Sequence, residues 1–66
     1  MTATVNGERK DLPNGTTLAA LLDSLGVPAA GIAVAVNASV VRRAAFDSHA
    51  LADGDSVEII RAVAGG

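Results

Sequence analysis

A chain of 66 residues, 50% hydrophobic and 18% charged, is one small globular domain and not a disordered segment. At this size it buries about 60% of its unfolded surface, which leaves little support for a large active-site cavity. The net charge of -2 and the single aromatic residue, Phe46, exclude a nucleic-acid binder that works through a basic face or through stacked bases.

Thr2 to Asn6 reads as a short strand with Ala3 and Val5 on one face. Asn6-Gly7 predicts a tight hairpin, because both central turn residues need positive φ. Glu8 to Leu12 is the polar return strand, and its charges suit a sheet edge. Pro13-Asn14-Gly15 breaks it. Thr16 or Thr17 then caps a helix of about nine residues. Leu18, Leu21, Leu22 and Leu25 form its apolar stripe, with Asp23 and Ser24 facing away. Gly26 stands where a left-handed residue ends a helix, and Pro28 follows. So short a helix is marginal alone and must be held by packing on a sheet.

Ile32, Val34 and Val36 alternate with Ala33 and Ala35, a strand buried on one face and closely covered on the other. Asn37-Ala38 turns it, and Val40 to Arg43 returns as a strand. Ala44 to Ala52 is irregular, anchored by Phe46 and Leu51. Asp53-Gly54-Asp55 is a turn. Val57, Ile59, Arg61 and Val63 alternate with Ser56, Glu58, Ile60 and Ala62 in the last strand. The order β-β-α-β-β-β gives an α+β domain in two layers, one helix on a small mixed sheet. It occupies residues 1–63, and residues 64–66, Ala64-Gly65-Gly66, form a flexible tail.

The absence of cysteine points to a reducing compartment and excludes a thiolate nucleophile or zinc knuckle. Met1 is followed by neither basic residues nor an apolar segment, so no targeting sequence is expected. The longest apolar stretch, Val27 to Val36, contains Pro28 and Gly31 and is too short to span a bilayer. The expectation is a soluble, cytoplasmic protein with no membrane and no nucleic-acid partner.

The informative feature is the pair of glycines at the end, directly after an alternating strand. Such a tail puts a carboxylate on a thread without side chains, able to enter a channel that any Cβ would block. From Arg61 to Gly66 the thread reaches up to about 20 Å. Its carboxylate is unreactive until another enzyme activates it, for example by adenylation. Arg42 and Arg43, with Arg61, are candidate partner contacts near the tail. His49 is the only histidine and reads as a loop residue, with no metal ligand set around it. Asp53-Gly54-Asp55 lacks the remaining oxygen ligands of a cation loop. Gly26 to Gly31 has the spacing of a phosphate loop but carries Ile32-Ala33 in place of Lys-Ser/Thr. Asn14-Gly15-Thr16 and Asn37-Ala38-Ser39 match the glycosylation pattern without a secretory route. A single histidine and so little room for a pocket support no Ser/His/Asp set.

Taken in order, the segments Val5-Asn6-Gly7-Glu8, Leu12-Pro13-Asn14-Gly15-Thr16-Thr17-Leu18, Leu21-Leu22 and Leu25-Gly26-Val27 resemble the sulfur carrier family of thiamine (thiazole) biosynthesis. So do Gly31 to Asn37, Val40-Val41, Asp53-Gly54-Asp55, Val57 to Ile60 and Ala62 to Gly66. The resemblance covers nearly the whole chain. It departs where the family often has Pro-Arg after the paired valines and a downstream Trp; here Arg42 and Phe46 stand.

The resemblance implies a ubiquitin-like β-grasp fold, with a mixed five-stranded sheet packed on one helix. It implies a carrier, not an enzyme. A ubiquitin-activating-like adenylyltransferase would use MgATP to adenylate the carboxylate of Gly66. A cysteine desulfurase relay would supply sulfur as a persulfide, and the resulting thiocarboxylate would pass its sulfur to thiazole synthase. The chain itself would bind no cofactor and no metal, and would be a monomer when free. Other readings are the small subunit of molybdopterin synthase, which is usually longer and often has Pro-Pro before its tail, a ubiquitin-like modifier, and a β-grasp binding module.

Overall fold

The computed structural model describes residues 1–61. Strands β1 (Thr2–Val5) and β2 (Glu8–Asp11) form the first hairpin. Asn6 and Gly7 join them with φ of 51° and 80°, the left-handed pair of a type I′ turn. Helix α1 spans Leu18–Leu25. Strands β3 (Ile32–Val36) and β4 (Ser39–Val41) make the second hairpin, and β5 (Ser56–Arg61) completes the sheet.

The sheet order is β2-β1-β5-β3-β4. Strands β1 and β5 run parallel, and every other neighbouring pair is antiparallel. The charged β2 lies at an edge, where its side chains reach water and discourage pairing with other chains.

The Thr17 side chain accepts the Ala20 N–H at 3.1 Å and so caps α1. Two further N–H groups of the first turn reach the loop beneath: Leu18 donates to the His49 carbonyl and Ala19 to that of Phe46, both at 3.0 Å. The helix start is thus held by tertiary contacts as well as by its cap. Gly26 has a φ of 69°, and Val27 donates back to the Leu22 carbonyl at 2.9 Å. That is the closure of a helix by a left-handed glycine.

Leu18, Leu21 and Leu22 pack on Val5, Val34, Val36 and Val57 of the sheet, with Phe46 and Leu51 closing the sides. Burying such a side chain stabilises the fold by about 1.5–3 kcal/mol.

Three local expectations are corrected. Leu25 is 36% exposed, because the sheet falls away beneath the last helical turn. The outer face of β3 is open, with Ala33 exposed: α1 lies on the other side. Strand β4 stops at Val41, and Arg43–Ala45 form a single 3₁₀ turn that delivers Phe46 to the core.

Candidate functional site

Strand β5, the last of the described residues, is the middle strand of the five. Its position is fixed by side chains at both ends as well as by its two neighbours. At its start, Asp53 Oδ1 accepts the Thr2 N–H at 2.7 Å. Asn37 Oδ1 accepts the Ser56 N–H at 3.0 Å, and Asn37 Nδ2 donates to Asp55 Oδ1 at 3.0 Å. Asp55 Oδ2 accepts the Ala52 N–H at 2.8 Å. These bonds hold the Asp55 carboxyl below the usual carboxylate range, the Ala52 N–H being the larger cause and the Asn37 amide the next.

Further along, β1 ends at Val5, opposite Val57. Beyond that point the Asn6 side chain takes over: its Oδ1 accepts the Ile59 N–H at 2.8 Å. The Asn6-Gly7 turn therefore does two things, reversing the chain and extending the support of β5 by one residue. The sequence signals only the turn.

The tail residues Ala64, Gly65 and Gly66, with Ala62 and Val63 before them, lie outside the described residues. The structure places the three candidate arginines in different surroundings. Arg61, opposite Ile32, lines a groove on the helix side of the sheet with Leu25, Val27 and Ile59. Arg43 lines a second groove with Asp23, Phe46 and Asp47. Arg42 stands exposed at the end of β4. Among the described residues none of the three has an ion pair; the pair that forms is Lys10–Glu8 at 3.0 Å.

The outer face of the sheet carries an exposed apolar patch. Val40 is 76% and Ile60 56% exposed. Ala35 lies opposite both Val40 and Glu58, and Ala33 opposite Ile60. Single exposed apolar residues need no explanation, but this contiguous group has the character of an interaction surface.

His49 works through its backbone: its carbonyl holds Leu18, and its N–H donates to the Ala45 carbonyl at 2.8 Å. Among the described residues no group of three or more His, Cys, Asp or Glu could hold a metal ion. Among them no helix is long and apolar enough to cross a membrane. The described residues thus bring together a braced central strand, an exposed apolar sheet face and a groove of mixed polarity.

The ThiS family model matches residues 3–66. The chain is 33% identical over 61 residues to the sulfur carrier protein ThiS of Escherichia coli, covering 92% of each. It is 35% identical over all of its 66 residues to a thiazole synthase of Paramagnetospirillum magneticum, of whose length it spans 20%. The crystal structure of the thiamine biosynthesis protein ThiS from Geobacter metallireducens is similar throughout, with a TM-score of 0.86, 35% identity and full coverage of both chains. The fold is the ubiquitin-like β-grasp.

Proposed function

The chain belongs to the ThiS family, and from that membership we propose that it carries sulfur for thiamine biosynthesis as a thiocarboxylate on Gly66. The observation that carries this reading is the end-to-end similarity to a bacterial sulfur carrier, joined to a fold that presents its last strand centrally. The chain contains no cysteine, so the sulfur has to be held on the main-chain carboxyl group.

In the proposed cycle a carboxylate oxygen of Gly66 attacks the α-phosphate of MgATP on an adenylyltransferase of the ubiquitin-activating type, and pyrophosphate leaves. The terminal sulfur of a persulfide, fed by a cysteine desulfurase, displaces AMP from the acyl carbon. Thiol cleavage of the resulting S–S bond leaves the thiocarboxylate. Thiazole synthase is the acceptor. A stretch similar to this chain forms a fifth of a protein named thiazole synthase, which supports a direct hand-over.

The chain's own contribution is positional. It supplies no acid, base or nucleophilic side chain, and the thread of small residues lets the partner's site close around the backbone. The patch of Ile60, Ala33, Ala35 and Val40 is the surface we assign to docking, with Arg42 beside it as an electrostatic guide.

Intact-mass measurement of the protein isolated from cells grown without thiamine tests the reading. The expected species has one oxygen replaced by sulfur, and fragmentation places the change on Gly66. Unmodified protein under those conditions, in cells that make thiamine, overturns it.

A further inference from the structure

Backbone direction along β5 leaves one part of its ladder open. Asn6 donates its N–H to the Val57 carbonyl at 2.8 Å, and Thr4 does so to that of Asp55 at 2.9 Å. On the other side, Asn37 donates its N–H to the Ser56 carbonyl at 2.8 Å. Odd-numbered residues of β5 thus turn their polar groups toward β1 and even-numbered ones toward β3. Strand β1 has ended by Val5, and Asn6 satisfies only the Ile59 N–H. The Ile59 carbonyl and the Arg61 N–H face the vacated side, with no bonded partner among the described residues.

Beside this edge lies a groove lined by Val5, Leu25, Val27 and Ile59 together with the polar Asn6, Glu8, Lys10 and Arg61. The exposed Leu25, which breaks the helix stripe, is part of its wall. Apolar side chains and charged ones beside unpaired backbone groups are what an added extended strand can use, the backbone for affinity and the side chains for specificity.

We propose that this edge takes an extended segment of the activating enzyme, lying over Leu25 and Val27, bonded to Ile59 and Arg61, with an acidic side chain against the Arg61 guanidinium. The proposal rests on the reading that an adenylyltransferase acts on Gly66. Arg61 leads directly into residues 62–66, which span up to about 17 Å. An enzyme that binds Gly65 and Gly66, which offer no side chain to grip, must read their backbone, and a strand begun at Ile59 would carry the same ladder forward toward them. Two open residues are too short an edge to hold a second copy of this chain. They suffice for a segment whose enzyme also holds the tail.

Amide hydrogen exchange of the 15N-labelled chain, free and bound to the adenylyltransferase with MgATP, tests this. The Arg61 amide should exchange at least about tenfold more slowly in the complex. Arg61→Pro removes the N–H on the side away from β3, whereas Arg61→Ala keeps it and removes only the charge. Arg61→Pro should bind about tenfold more weakly than Arg61→Ala, the share of one hydrogen bond. An Arg61 amide that exchanges equally fast in the free and bound chain overturns the proposal, and the carrier reading survives. Slowing that grows with the chain's own concentration, without enzyme, assigns the edge to a second copy and also overturns it. Failure of the enzyme to bind the chain at all removes the carrier reading and the proposal together.

Discussion

The Asn6 side-chain oxygen and the Ile59 N–H, 53 residues apart in sequence, meet at 2.8 Å. A turn residue thereby serves as the last rung of a strand that has already ended. Asn6→Ala removes that acceptor and places a Cβ-bearing residue without a local hydrogen bond at a φ of 51°. The two effects should lower stability by about 1–2 kcal/mol together. Asn6→Asp keeps an acceptor and should lose less. Urea denaturation gives the difference, and the Ile59 amide should exchange faster in the alanine variant.

Leu22 and Leu25 separate core from groove. Leu22 is 2% exposed, so Leu22→Ala should cost about 2–5 kcal/mol. Leu25→Ala, at a wall residue open to water, should cost less than about 1 kcal/mol. Thermal unfolding of the two variants checks the assignment. Equal losses would mean that the last helical turn is buried.

This pair also marks how far the sequence is legible. The leucine spacing identifies the helix and its three buried positions, Leu18, Leu21 and Leu22, because periodicity reports a helix face. It does not report where the sheet beneath that face stops, so Leu25 is misplaced. Asn6-Gly7 and Asp53-Gly54-Asp55 are readable as turns from backbone preference alone. Their second task, gripping β5 through side chains, depends on a strand from the other end of the chain and leaves no local signal. Arg42, Arg43 and Arg61 look equivalent as charges, yet the early end of β4 and the 3₁₀ turn send Arg43 to a groove apart from that of Arg61. The tail carries its signal in composition, which is why Gly66 is named from sequence although it lies outside the described residues.

Asp55 makes stability depend on pH with a definite sign. Its folded pKa is depressed, so the unfolded chain binds the proton more tightly. The contribution is fully present above the unfolded carboxyl value near 3.9 and is lost as pH falls through the lower folded value. Asp55→Asn should therefore be less stable than the parent at neutral pH, with the gap closing in acid. Urea midpoints for both proteins across that range test it. A gap that widens on acidification would contradict the hydrogen-bonding role.

At Gly66 the proposed chemistry can be removed. Deleting the residue, or capping it as an amide, should abolish ATP–pyrophosphate exchange by the adenylyltransferase while the fold remains. Gly66→Val should also fail, because a branched side chain would crowd the carboxyl carbon that the proposed adenylyltransferase has to reach. Gly65→Ala should be milder. With no cysteine in the chain, thiol-directed alkylation of the sulfur-loaded protein should modify Gly66 and no other residue. Full exchange activity without Gly66 would end the carrier reading.

The parallel contact between β1 and β5 governs when the domain comes into being. The first strand made by the ribosome waits for the last before the middle of the sheet can close. Until β5 is released, the two hairpins have nothing to join them, and the leucines of α1 lack much of their floor. Pairings this distant in sequence slow folding, and a single domain of this size folds all-or-none. A chain that stops short of β5 thus leaves its two hairpins unjoined and the leucines of α1 without the Val57 floor.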